Sequence, residues 1–243
     1  MFRHTGKGRT YSHNLKLASI LSGVAGTVNI AGVLYLGTLT TNVTGHFAFF
    51  SEVIILKNYK MAAVYMFYIL FFFLGAFVSG ILMELVTKYK YQLAYVLPIS
   101  FEIIILILVG IIHDLWPCRV LTSPATLSLA LLFAMGLQNA LVTKISLSVV
   151  RTTHLTGIFT DLGIELSQLF FYNETAERKK LHQSVFLKLM IIASFFTGGI
   201  IGGVLYLHFG IKVLLFPAGL LLFVLWYDQL LFRYYFLKRK FRH

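Results

Sequence analysis

Six apolar stretches, each long enough to cross a lipid bilayer as a helix, constrain this chain more than any other feature. About 20 apolar residues, rising 1.5 Å each, span the roughly 30 Å of hydrocarbon in a membrane. Only 12% of the residues are charged, against about 25% in soluble domains. The sequence therefore predicts an all-α integral membrane protein, a single membrane domain over residues 1–243. Its six transmembrane helices lie at roughly 17–39, 61–86, 92–112, 124–149, 185–208 and 211–236.

The net charge of +12 bears on orientation. In a soluble protein such a charge would favour nucleic acid as a partner. Here the basic residues flank the apolar stretches, which is the topology signal of membrane proteins. Placing both termini in the cytoplasm leaves few basic residues on the far side: Lys57, Lys60, Arg119 and Lys212. We expect the lipid bilayer as partner, no nucleic acid, and both termini cytoplasmic.

An internal repeat divides the six predicted spans into two related halves, residues 17–112 and 124–236. Because each half holds three spans, the second half must enter the membrane from the opposite side. Inverted repeats of this kind recur in secondary transporters, which place their sites near the midplane. A duplication that now serves only as a scaffold is the alternative. The matched elements are Gly26–Asn29 with Gly136–Asn139, Thr41–Gly45 with Thr153–Gly157, Gly75–Gly80 with Gly198–Gly203, and Pro98 with Pro217.

Two shorter and less apolar segments, roughly 46–57 and 157–171, are predicted to be amphipathic or re-entrant helices. Each begins near a Thr-Gly pair, Thr44-Gly45 or Thr156-Gly157. Such a glycine permits positive φ or a close backbone approach. The threonines could line a solute site at the helix breaks, or they could simply cap the short helices.

The amides Asn29 and Asn139 lie within apolar spans at equivalent places in the two halves. An unpaired amide in hydrocarbon is costly, so both should face the bundle interior. They could contact a solute at one shared central site, or form an interhelical hydrogen bond. We predict a solute-binding set of Asn29, Thr44, Gly45, Asn139, Thr156, Gly157 and Asp161.

Two acidic residues complete the candidate site. Asp161 should fall in the first turn of the second short helix, on the same face as Glu165 and Gln168; a solvated face is the alternative. Glu102 lies inside the third span, one turn after Pro98. Acids within the membrane are functional candidates, so Glu102 is predicted to couple transport to protons or ions.

The small-residue patches at 75–80 and 198–203 predict close helix packing, within the bundle or across a homodimer. Tyr95 and other aromatic residues near span ends are interpreted as interfacial anchors. The chain has no phosphate-binding loop and no His-Glu-x-x-His or Gly-x-Ser-x-Gly sequence, so no ATP-driven pump or common hydrolase is indicated. Cys118 is the single cysteine. We expect no enzyme activity, catalytic residue, metal or cofactor.

The segments Ala134-Met135-Gly136-Leu137-Gln138-Asn139-Ala140 and Thr152-Thr153-His154-Leu155-Thr156-Gly157, with Thr41 to His46, resemble the YoaK-like bacterial membrane proteins. The resemblance covers nearly the whole chain and implies an inner-membrane location, with no established substrate. Two positions depart from that pattern: Asn29 replaces a typically acidic residue, and His46 replaces a usual Asn. Asn29 cannot titrate, which argues against proton coupling there.

Together these features predict a secondary transporter or permease for a small solute. A non-transporting scaffold or regulatory membrane partner is the second hypothesis, and an intramembrane enzyme is the third.

Overall fold

A computed structural model describes residues 9–90, 94–115, 120–171 and 175–240, and all regular elements in those ranges are helices. The prediction of an all-α protein is confirmed. A π-helical turn, Gly32–Leu36, extends the first helix, and a 3-10 turn, Gly210–Leu214, joins the last two. The α-helices are α1 Tyr11–Ala31, α2 Val43–Ile55, α3 Tyr59–Lys90, α4 Val96–Leu115, α5 Pro124–Ser146, α6 Leu155–Gln168, α7 Thr175–Phe209 and α8 Leu215–Lys240.

Within the described residues, four helical stretches are long and apolar enough to cross a membrane: Tyr11–Leu36, Tyr59–Lys88, Pro124–Ser146 and Ala176–Asp228. The last stretch contains both α7 and α8, which separate at Gly210, where φ is +57°. The apolar part of α4, Val96–Ile112, is shorter, as is α2. These helices indicate a membrane protein.

The outward faces of α3 and α7 are apolar and uncovered. Phe73 and Leu207 are 64% and 79% exposed, respectively. Water-soluble monomers rarely expose apolar patches of this extent. Contact with lipid hydrocarbon avoids the free-energy cost of exposing apolar side chains to water, so these faces fit a lipid environment.

The core forms where α1 packs on α7 and α3 packs on α5. A β-carbon at Gly26 would lie 2.0 Å from the carbonyl oxygen of Phe195, and one at Gly136 would lie 2.1 Å from that of Phe72. The partner glycines are equally close: Gly198 approaches Gly23, and Gly75 approaches Phe133. Close packing is therefore confirmed at Gly75 and in the 198–203 patch, whereas a β-carbon at Gly80 would meet nothing within 4 Å.

The same contacts give the relative directions of the helices. Gly23 meets Gly198 while Gly202 meets Thr27 and Ile30, so α1 and α7 run parallel. Contacts of Gly75 with Phe133 and of Glu84 with Lys144 show the same for α3 and α5.

By contrast, α1 and α5 run antiparallel. Ser128 Oγ donates to Thr38 Oγ1 at 3.1 Å, and Gln138 Nε2 donates to the Leu21 carbonyl at 2.9 Å. The two helices also share one burial pattern, since residues 21–30 and 131–140 have the same order of buried and half-buried positions. Gly26 and Gly136 fall at about the same level between these contacts.

Candidate functional site

The chain break after α1 is organised by Asn29. The helix ends through the π-helical turn and Gly37, whose φ is +64°. The chain then folds back, so that the Thr40 amide and the Thr41 hydroxyl donate to Asn29 Oδ1 at 3.2 and 3.0 Å. The half-buried amide oxygen thus fixes the segment that leads into α2.

The break after α5 repeats this arrangement with Asn139. The helix ends at Leu147, whose φ is +51°. Thr153 Oγ1 then donates to Asn139 Oδ1 at 2.8 Å, with Thr152 Oγ1 farther away at 3.4 Å. Each amide oxygen therefore has partners in its own half, and a role in contacting solute stays a prediction.

The two amides lie on opposite sides of the central helix crossing. Each follows its contact glycine, Gly26 or Gly136, by three residues, and α1 and α5 are antiparallel. At 1.5 Å per residue this places Asn29 and Asn139 about 9 Å apart along the helix axes. The structure thus has two separate amide sites, one at the chain break after α1 and one at the chain break after α5.

The Thr-Gly pairs occupy the first turns of α2 and α6, but the threonines do not cap these helices. Asn42 is the N-cap of α2, and its Oδ1 accepts from the Gly45 amide at 3.1 Å. His154 takes the N-cap position of α6. The predicted capping role of Thr44 and Thr156 is therefore wrong, because both helices start earlier than expected and leave these threonines exposed.

Neither glycine adopts a positive φ, and only Gly157 is needed for a close approach. A β-carbon at Gly157 would lie 2.5 Å from the His154 ring, so this ring needs the space. At Gly45 the nearest atoms of Asn42 and Leu39 are 3.4 Å away, an ordinary contact.

Asp161 is exposed in the second turn of α6, and its predicted first-turn position is wrong because α6 begins at Leu155. Its neighbour on the same face, Glu165, is used differently. Glu165 Oε1 accepts from Lys188 Nζ at 2.6 Å and from Ser184 Oγ at 2.7 Å. This largely buried ion pair joins α6 to α7.

Glu102 is fully buried in α4, and neither carboxyl oxygen has a hydrogen-bond partner. The antiparallel packing of α4 against α8 shows how far along this helix pair Glu102 lies. Tyr95 meets Asp228 at one end, and Gly110 meets Leu214 and Leu215 at the other. Glu102 therefore lies midway along this helix pair, near the level of Leu221.

Two other buried polar groups, Tyr95 with Asp228 and Gln138, are not among the predicted site residues. Tyr95 is 2% exposed and donates to Asp228 Oδ2 at 2.6 Å, so its interpretation as an interfacial anchor is wrong. Gln138 is fully buried between α5 and α1, and its Oε1 has no partner. An acid in the last apolar stretch and an amide beside Asn139 were the signals available.

Two clefts lie beside the chain breaks. The α1 cleft, of about 560 Å³, is lined by residues that follow α1 and by the starts of α3 and α5, with His46, Phe49, Tyr65 and Tyr68 among them. The α5 cleft, of about 540 Å³, is lined by Ala76, Asn139, Ala140, Thr143, Lys144, Leu147 and Ser148. Thr44, Thr156, Asp161 and Glu102 line neither cleft.

His46 is the most buried polar group of the α1 cleft, at 1% exposed. Its Nε2 lies 2.7 Å from the Leu39 carbonyl, which can only accept, so Nε2 carries the proton. Burial lowers the pKa of His46 below the ordinary histidine value, although the bond to Leu39 acts the other way. The ring is therefore neutral at pH 7, and Nδ1 is an acceptor without a partner.

The chain belongs to a family described as protein of unknown function (DUF1275), whose model matches residues 17–227. The match covers most of the chain and is consistent with the YoaK-like resemblance, although it supports only the broader family. Comparison with curated proteins and with solved structures found no match.

Proposed function

For this DUF1275 protein we propose secondary or passive transport of a small solute, by six transmembrane helices arranged as two inverted halves of three. Four apolar stretches meet the length requirement, and the fourth comprises two helices that separate at Gly210. The sixth helix is α4, Val96–Leu115, whose 20 residues span about 30 Å. The halves are residues 17–112 and 124–236.

The duplicated glycine crossing carries this proposal. Gly26 contacts Phe195 of the other half, and Gly136 contacts Phe72. Parallel packing of α1 with α7 and of α3 with α5, combined with antiparallel α1 and α5, is the arrangement that a two-fold axis in the membrane plane generates. Transporters built this way rock one part against another around a central site.

The two chain breaks fit the same account. Interrupted helices expose backbone groups to solutes in such transporters, and here each break has a cleft beside it. We assign the path of the solute to Asn139, which lines the α5 cleft, and to six residues that line neither cleft in this arrangement and would meet the solute when the helices move: Asn29, Thr44 and Gly45 at one end, and Thr156, Gly157 and Asp161 at the other. Glu102, midway along the α4–α8 pair, supplies a titratable group at a depth between the two chain breaks.

The distribution of basic residues supports the orientation of this assembly. Both termini would be cytoplasmic in the inner membrane, so the α1 cleft would open outward and the α5 cleft inward. Transport of this kind involves no covalent chemistry and no cofactor.

A non-transporting scaffold is the second candidate. It is favoured by the amide oxygens of Asn29 and Asn139, which are occupied by threonine donors. A scaffold needs no solute, and its helices stay in one arrangement.

A ligand screen followed by an uptake assay separates the two functions. Purified protein is heated with a library of small metabolites, since a ligand that binds the folded state raises its apparent stability. We expect a chemically related group of compounds to raise the Tm, and those compounds to enter proteoliposomes saturably. Stabilising compounds that never enter the liposomes, or a library with no effect, would support the scaffold.

A further inference from the structure

The α1 cleft is lined by a buried side chain, His46, that has an unsatisfied hydrogen-bond acceptor. His46 lines it, with Nε2 held by Leu39 and Nδ1 buried without a partner. A buried acceptor left unpaired costs free energy. A ligand that brings a donor hydrogen into the cleft would recover that cost.

Aromatic rings form the wall around this acceptor. The Tyr68 ring stands edge-on to His46 at 5.3 Å and to Tyr65 at 5.9 Å, between centroids. Phe49 packs against Tyr65 at 5.5 Å. Ring faces attract cations, most strongly where water is excluded.

The charges around the cleft also favour a cation. Among the described residues that line it there is no Lys or Arg. Glu52, on the same helix as His46, acts electrostatically on Tyr65. A negative charge near an aromatic wall strengthens attraction for a cation and opposes binding of an anion.

We propose that the α1 cleft binds a protonated primary amine, which places its charge against Tyr65 and donates an N–H to Nδ1 of His46 once the lining side chains shift to uncover that atom. The cleft volume of about 560 Å³ suits a small organic molecule. His46 and Tyr65 are not among the residues assigned to the solute path above, so the site adds a binding position at the α1 end of that path. The proposed site names the solute class for the proposed transport, and only this link to transport rests on the proposed function.

Calorimetric titration of the protein in zwitterionic lipid nanodiscs tests the binding site with four probes of similar size. We expect saturable binding of butylammonium, weaker binding of tetramethylammonium, which lacks an N–H, and none of 1-butanol or butyrate. Equal binding of 1-butanol would show simple apolar filling of the cleft and overturn the proposal. Stronger binding of butyrate, or no binding of butylammonium, would also overturn it.

Substitutions locate the site. Tyr65→Leu should weaken butylammonium binding about tenfold, and Tyr65→Phe, which keeps the ring, about twofold. Glu52→Gln, at an exposed position that folding tolerates, should weaken it about threefold. Glu177→Gln, an exposed acid at the start of α7, is the matched control and should have no effect. Equal affinity of Glu52→Gln and Glu177→Gln, with an unchanged Tyr65→Leu, would place the amine elsewhere.

The binding measurement tests the amine site, and the uptake measurement tests transport, so either can be refuted without the other. Butylammonium that binds in the α1 cleft but does not enter proteoliposomes refutes transport and leaves the amine site standing. Uptake of unrelated solutes without butylammonium binding refutes the amine site and leaves transport standing.

Discussion

Gly26→Ala and Gly136→Ala should each lower the free energy of unfolding by about 3 kcal/mol or more, the upper range for an overpacked core. The added β-carbons would lie 2.0 Å from the Phe195 oxygen and 2.1 Å from the Phe72 oxygen. Those oxygens belong to helix backbones, so a whole helix must shift to make room. Thermal unfolding of the purified variants in detergent measures the loss.

Gly80→Ala and Gly219→Ala are the matched controls. Both glycines lie in helices that include membrane-facing surface, and neither would bring its β-carbon within 4 Å of a neighbour. Alanine favours helix over glycine by up to about 1 kcal/mol, so these variants should be neutral or slightly more stable. If Gly26→Ala and Gly136→Ala behave like the controls, the close packing of α1 on α7 and of α3 on α5 is wrong.

Glu102→Gln should reduce solute uptake by at least about tenfold, the effect of losing an essential proton-transfer group, and should abolish its dependence on pH. For a carboxyl buried without a hydrogen-bond partner, the neutral form has a lower free energy than the ionised form. Movement that brings water or a solute to Glu102 would let it release a proton. Glutamine has nearly the same shape but cannot titrate, so binding and release of the proton would no longer accompany uptake.

Uptake into proteoliposomes at several pH values measures this effect, with Glu177→Gln as the exposed control. Glu102→Leu provides a folding check, because removal of an unsatisfied buried carboxyl should raise the Tm. Unchanged uptake and an unchanged pH profile in Glu102→Gln would eliminate coupling through this residue.

Hydropathy predicted much of the fold. The apolar stretches are helices in the structure, and the short segments are α2 and α6. Glycine spacing identified the small-residue patches because a missing side chain is required wherever two backbones meet. Boundaries were less predictable. The start of α2 is fixed by the hydrogen bond that Asn42 accepts from the Gly45 amide, whereas α6 begins at Leu155 without a side-chain cap.

The site was predictable only in part. The sequence singled out Asn29 and Asn139, but their depth depends on how α1 packs against α5, which no local pattern encodes. The unpaired Nδ1 of His46 depends on a single contact with Leu39. Likewise the ion pair of Glu165 with Lys188 joins residues 23 positions apart, and a sequence pattern on α6 alone cannot reveal it.

Cysteine accessibility tests most directly whether the protein alternates between two openings. In a Cys118→Ser background, Met61→Cys reports on the α1 cleft and Ser148→Cys on the α5 cleft. An impermeant maleimide should label the first only from outside the cell and the second only from the cytoplasmic side. A solute that raises the Tm should change the two labelling rates in opposite directions. Labelling of both positions from one side, or rates that a bound solute leaves unchanged, would contradict the account.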